Sequence, residues 1–283
     1  MKRPAILLLP ALFLVRAVAG PTASGPAPDY AQIGALDQGA GRAVIEQFRE
    51  AGLPGAYYFE FDLHLLPRRG EERVVPGRLW ATREEPGPRL RLVLDPGGPN
   101  ERRWLVQGGA RPAAWRAVGP AFAPQAADLF DPLWDGSAIT PFDLQMSFLY
   151  WPDETLVGVN RIGGRPADNF LFRPPAAFAS RHPAIGAVRA YLDTEYGAAV
   201  KTELLGPDGG VRKTWTLVDL KQIAGKWIPK ETDYRDEATR DKTRIELTGA
   251  ALDLDFPPSF FDPAGLAAAV NPPSGDSVVR FGR

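Results

Sequence analysis

In the run YYFEFDLHLL at 57–66, every second residue is apolar. Phe59, Phe61, Leu63 and Leu65 fall on one side, and Tyr58, Glu60, Asp62 and His64 on the other. A two-residue period sends side chains to alternate faces of an extended strand, so one face suits a core and the other water. The same alternation recurs along the chain, with turn residues in between. Val75, Gly77, Leu79 and Ala81 share a face, and the alternating run 89–94 stops at Asp95-Pro96-Gly97-Gly98, a hairpin turn. Two shorter runs, 103–107 and 113–118, flank Gly108-Gly109. With 29 glycines and 29 prolines in 283 residues, turn chemistry is dense enough to suit short strands joined by turns better than a helical bundle. Residues 55–118 are predicted to form an antiparallel meander.

Strand signals return at 155–162, 168–172, 188–196, 201–205, 213–222, 227–235 and 242–252, with a short helical turn at 259–262. Helical spacing is confined to three places. Ile33, Leu36, Ala40, Val44, Ile45 and Phe48 mark a helix over 31–51, firmest at 42–51 and stopped by Gly52 and Pro54. A second helix is expected over 125–134. The third is expected over 141–151, with Thr140 as cap, Pro141 at the first position and Asp143 in the first turn. Phe142, Leu144, Met146, Phe148, Leu149 and Trp151 surround that third helix, which therefore needs cover on several sides.

Lys2 and Arg3, an apolar run over 5–15 and Ala17-Val18-Ala19 read as an export signal cleaved after Ala19. The apolar run is about 11 residues, whereas a membrane span needs roughly 20. The expected layout is a signal peptide (1–19), a linker (20–30), one folded domain (31–270) and a flexible tail (271–283). The mature protein is expected to be periplasmic and monomeric.

Absences narrow the chemistry. With no cysteine and two histidines, the chain carries no disulfide, thiolate metal site or cysteine nucleophile. A net charge of −1 gives no basic surplus for nucleic acid. Glu60, Asp62 and His64 could hold a metal or an acid–base pair, but polar-out alternation accounts for them as a solvated face. Asp193 and Glu195 take the same reading. The mixed-sign run 233–242 suits a hairpin loop, and His182 beside Pro183 has no evident partner. No serine sits in a nucleophile elbow. The chain reads as a binding protein without cofactor or metal, not as an enzyme.

The segments LVGVNRIGGRPADNFLFRP, VRAYLDTEYG, KTWTLVDLKQIAGKWIPKETDYRD and TRIELTGAALDLDFPPSFFDP carry an ordered set of positions. They are Gly158, Gly163, Gly164, Arg165 and Pro174; Asp193 and Glu195; Lys221, Gly225, Trp227 and Pro229; then Thr243, Leu247, Pro257, Phe261 and Pro263. In this order, over residues 139–266, they resemble the LolA-like outer-membrane lipoprotein-sorting family. The resemblance implies an α+β fold: a strongly curved antiparallel sheet, an incomplete β-barrel, with a few helices covering its concave face. It also implies a cavity that shelters acyl chains of lipoproteins or another lipid. Phe59, Phe61, Leu63, Leu79, Leu90, Leu92, Trp104, Trp115, Phe142 and Leu149 are the expected cavity lining. An inward arginine locks the lid in such carriers; Arg78, Arg83 and Arg91 are the candidates here. The loop at 174–187 is longer than the family norm. The alternative is an envelope structural or protein-binding module whose cavity is filled by its own side chains. A membrane-spanning barrel is disfavoured by the charged outward positions.

Overall fold

Tyr57, Phe59, Phe61, Leu63 and Leu65 lie on one face of the strand Ala56–Leu66 (β1), and the two neighbouring strands extend that face. Leu79 of Arg73–Glu84 (β2) pairs with Phe59 on one side and with Leu92 of Gly87–Leu94 (β3) on the other. Leu92 pairs in turn with Trp104 of Arg102–Gln107 (β4). The computed structural model describes residues 35–282 except 51, 52, 54, 85, 86, 120, 194 and 196. The expected signal peptide, its cleavage point after Ala19 and the linker at 20–30 lie outside the described residues.

The sheet continues through Ala113–Val118 (β5) and Gln125–Ala127 (β6) at one edge. Past a middle excursion come Asp153–Ile162 (β7), Arg165–Arg173 (β8), Ala187–Asp193 (β9), Ala198–Leu205 (β10), Val211–Ile223 (β11), Lys226–Asp236 (β12) and Lys242–Leu254 (β13). Each matches an expected strand to within a few residues. All pairings are antiparallel, in the order β6-β5-β4-β3-β2-β1-β13-β12-β11-β10-β9-β8-β7. The end strands do not meet, so the barrel is incomplete, as the family resemblance implies.

Curvature follows from one tight turn. The Leu133 N–H donates to the Ile139 carbonyl at 2.9 Å, so residues 133 and 138 lie close together. Leu133 accepts a hydrogen bond from Trp104 Nε1 on β4, while Ala138 accepts one from Lys213 Nζ on β11. Five strands separate β4 from β11. In a flat sheet they would stand roughly 28 Å apart, at 4.7–4.9 Å per strand. The sheet therefore wraps around this turn.

Three helices lie among the described residues: α1 (Gln38–Glu50), α2 (Pro141–Gln145) and α3 (Ala176–Arg181). Asp37 caps α1, its carboxylate accepting from the Gly39 and Ala40 N–H groups. Gln38 pairs through its amide with both the N–H and the carbonyl of Leu156, covering part of the β7 edge. Ile45 joins a second core cluster, with Phe142, Phe148, Trp151, Phe170, Phe172 and Phe178, over the β7–β9 end of the sheet. α3 occupies the expected long loop.

Three expectations change. Residues 125–134 form no helix: β6 takes 125–127, and the rest is turns. Pro132 has no N–H to donate, and the Asp128 carboxylate accepts from the Phe130 N–H at 2.8 Å, favouring turns instead. The helix expected over 141–151 stops after Gln145, because Met146 is left-handed (φ 45°, ψ 42°), and resumes as a 3-10 turn at Ser147–Tyr150. Residues 275–281 fall in the segment expected to be a flexible tail. Instead Val279–Arg280 (β14) pairs with β13, and Val278 is buried beside Phe261 and Leu266.

Candidate functional site

The concave face carries two adjoining apolar clusters, with polar side chains such as Arg116, Lys213 and Thr243 at their margins. Of the ten expected lining residues, Phe59, Phe61, Leu63, Leu79, Leu90, Leu92 and Trp104 come together in one cluster on this face. Phe142 and Leu149 belong to the adjoining cluster, with Met146 packed against both. Trp115 faces the other way. It pairs with Leu105 and packs with Tyr58, Trp80 and Phe261 on the convex side. Its parity in β5 puts Ala114 and Arg116 on the concave side instead. This half of the sheet is buried on both faces, so a large apolar side chain does not reveal which face it takes.

The second cover is the chain beyond β13. Its 3-10 turns Pro258–Phe261 and Pro263–Ala267 lie across the convex side of β3–β5. Arg91 of β3, 2% exposed, donates to the carbonyls of Phe260, Gly265 and Ala268. Arg103 of β4 reaches the Leu266 and Ala267 carbonyls and the Glu101 carboxylate. Burial, reinforced by the Arg103 charge, lowers the Arg91 pKa to about 10. Arg91 is thus a strut of the convex side, and Arg78, paired with Glu60 and Val93, also faces that way. Of the three candidate arginines, Arg83 is the one that reaches a helix: it donates to the Arg49 carbonyl in the last turn of α1. Arg49 in turn donates to the Leu149 carbonyl at 2.6 Å.

The bowl is occupied by the protein itself. Residues 128–151 enter it, with Leu133, Trp134 and Ile139 packed against the sheet cluster. Polar contacts hold this segment at its margins. Ala138 N–H donates to Thr243 Oγ1 at 2.8 Å, and Arg102 pairs with Asp135 while stacking on Trp134. The Asp143 carboxylate accepts from the Thr140 N–H and hydroxyl and from Lys213 Nζ at 2.6 Å. A cavity of about 20 Å³ remains between Phe142, Phe148, Leu204 and Trp215, room for one water molecule.

The centre of the segment is poorly satisfied. Met146 holds a left-handed backbone without being glycine. On either side, the buried Gln145 Oε1 and Ser147 Oγ make no hydrogen bond within the protein. A buried polar atom left without a partner costs about 1–3 kcal/mol. Sequence reading missed this, since nothing in the composition of 145–147 signals it.

The convex side also has a groove of about 510 Å³, lined by Trp115, Leu105, Arg89, Pro258 and Phe261 among others. His64 contacts Glu72 at 2.6 Å and Glu246 at 3.6 Å. No group of three or more histidine, aspartate and glutamate side chains among the described residues is placed to hold a metal ion. Among the same residues, no helix is long and apolar enough to cross a membrane.

Residues 179–268 match a family model described as an uncharacterized protein. No curated protein matches the chain. Solved structures match over most of its length. An outer membrane lipoprotein-sorting protein domain from Vibrio parahaemolyticus superposes with a TM-score of 0.71 at 14% identity, covering 82% of this chain and 100% of that one. A DUF1329 family protein from Desulfovibrio piger gives 0.69 at 12%, covering 81% and 98%. A LolA superfamily protein from Nitrosomonas europaea gives 0.62 at 14%, covering 78% and 96%. At these identities the likeness is one of fold.

Proposed function

We propose that this chain, which has the fold of the LolA superfamily, is an exported carrier of apolar ligands. In this reading the acyl chains of a lipid or lipoprotein take the place that residues 128–151 hold over the bowl. The observation that carries it is the mismatch between the two surfaces in contact. The sheet side is mainly apolar, whereas the occupant has a left-handed Met146 between two buried polar atoms without partners. Backbone strain of this kind is held in place by its surroundings and clusters at ligand clamps and switch regions. Burying an acyl chain gains ~0.8 kcal/mol per methylene, so a long chain has the means to displace such a segment. No step of chemistry is involved; the protein binds, shelters and releases. Export to the periplasm through the expected signal peptide belongs to the same reading.

One observation favours the second reading, a permanently self-filled module that binds an envelope protein: where Phe142 and Phe148 meet Leu204 and Trp215, the space left between segment and sheet is only about 20 Å³. Titration with a fluorescent long-chain fatty acid, together with mass spectrometry of lipid retained by the native protein, separates the two. Saturable binding or a retained lipid supports the carrier. Absence of both leaves the self-filled module.

A further inference from the structure

At the end of the sheet where the β1–β2 loop meets the β12–β13 hairpin, a cavity of about 500 Å³ is lined by Arg68, Arg235, Arg240 and Lys242. We infer that this cavity is an anion site that takes a phosphate group, either free or as the headgroup of a lipid. All four lining residues are cationic. The neighbouring carboxylates are shared or turned elsewhere. Glu237 forms a long ion pair, 3.7 Å, with each of Arg235 and Arg240, so one carboxylate is divided between two guanidinium groups and hydrogen-bonds to neither. Asp233 serves Lys242 and Arg244 together. Asp236 accepts from the Ala238 and Thr239 N–H groups, and Asp241 from the backbone N–H of Arg68. Among the described residues, the guanidinium of Arg68 has no anionic partner. Two loops thus bring unsaturated guanidinium donors to one concavity, and such donors match phosphate oxygens in pairs.

The site does not depend on what fills the bowl, so its test is separate from that of the carrier. Inorganic pyrophosphate, titrated by calorimetry, is expected to bind the whole protein and to bind more weakly as salt rises. Co-sedimentation with phosphatidylglycerol vesicles, against phosphatidylcholine vesicles, tests the headgroup source. Arg68→Gln and Arg240→Asn are each expected to weaken binding about tenfold. Asparagine is chosen at 240 because that position has φ 66°, a conformation asparagine tolerates. Thermal unfolding checks that both variants stay folded. Pyrophosphate binding that the variants lose assigns the site to free phosphate compounds. Vesicle binding alone, lost in the same variants, assigns it to a headgroup. If neither probe binds, or if the Arg68→Gln/Arg240→Asn double variant binds as well as the parent, the inference is wrong.

Discussion

Lys213 Nζ lies 2.6 Å from Asp143 Oδ2, and both side chains are almost entirely withdrawn from solvent, 13% and 11% exposed. The pair joins β11 of the sheet to the first turn of α2, the helix inside the bowl. Removing one partner leaves the other charge buried and uncompensated, whereas removing both does not. Lys213→Met is expected to cost about 3 kcal/mol in denaturant unfolding, and Lys213→Met/Asp143→Leu to recover much of it. Equal losses in the single and double variants would refute this account.

A covalent clasp tests whether the occupant must move. The chain has no cysteine, so Ala138→Cys/Thr243→Cys introduces a single possible disulfide where the Ala138 N–H meets Thr243 Oγ1. In the oxidised protein, fatty-acid binding should disappear, and reductant should restore it. Binding that persists with the clasp closed would put the ligand elsewhere, the convex groove beside Trp115 being the first place to look.

Gly41 is a buried position of α1 that packs directly on the sheet. A Cβ there would stand 3.0 Å from Leu156 Cβ and 3.3 Å from Phe170. Gly41→Val should therefore lift α1 and destabilise the fold by about 1–3 kcal/mol. Ala40→Leu, on the exposed side of the same turn, should leave the melting temperature unchanged. Valine has the higher helix propensity of the two residues at 41, so a loss there reports packing; no loss at 41, or an equal loss at 40, would refute this account.

The carboxyl-terminal cover depends on Arg91. Arg91→Leu removes the guanidinium donor from three carbonyls, those of Phe260, Gly265 and Ala268, of which Gly265 keeps only the Ala268 N–H. Limited proteolysis is expected to cut within 258–282 in this variant while the intact parent resists. An unchanged digestion pattern would show that the apolar contacts of Phe261, Leu266 and Val278 suffice alone.

Acid stability has a definite sign. Burial alone would raise the pKa of Asp233, but donors from Arg244 and Lys242 outweigh it and hold the group below its ordinary value. At Glu203, burial is likewise outweighed by Lys201 and Arg189. Both stabilise the fold above the ordinary carboxylate range, and that stability is lost as pH falls through their depressed folded values. Asp168 runs the other way: burial raises it, so its charged form opposes folding at neutral pH. Asp233→Asn should flatten the acid limb of a melting-temperature profile. Asp168→Asn should raise the melting temperature at pH 7 and change nothing at pH 3. The opposite response at pH 7 would overturn the assignment.

Much of the frame was legible in the residues, and the reasons are local. Phe59, Phe61, Leu63 and Leu65 announced the buried face of β1 because a strand's period is two whatever surrounds it. The hairpin at Asp95-Pro96-Gly97-Gly98 was legible because Asp95 and Gly97 adopt positive φ there. Trp115 was misplaced for the converse reason. β4 and β5 are covered on both sides, so apolar side chains occur on both faces, and only the pairing with Leu105 assigns this one. Pro141 and Asp143 correctly marked the start of α2, yet nothing in the chain's period announced the left-handed turn at Met146 that ends it.

The order of residues alone determined a β-rich chain of short antiparallel strands, its turns, and the chemistries closed to it without cysteine or a histidine cluster. Those are properties of neighbours in sequence, set by backbone sterics and side-chain type. What lies inside the curve, and what covers its back, was decided only in three dimensions. An apolar segment such as 128–151 has the same sequence whether it roofs an empty hollow or fills it. The choice rests on contacts such as Leu133 with Trp104, Ala138 with Thr243 and Asp143 with Lys213. They join residues far apart in sequence, brought together only when the sheet bends.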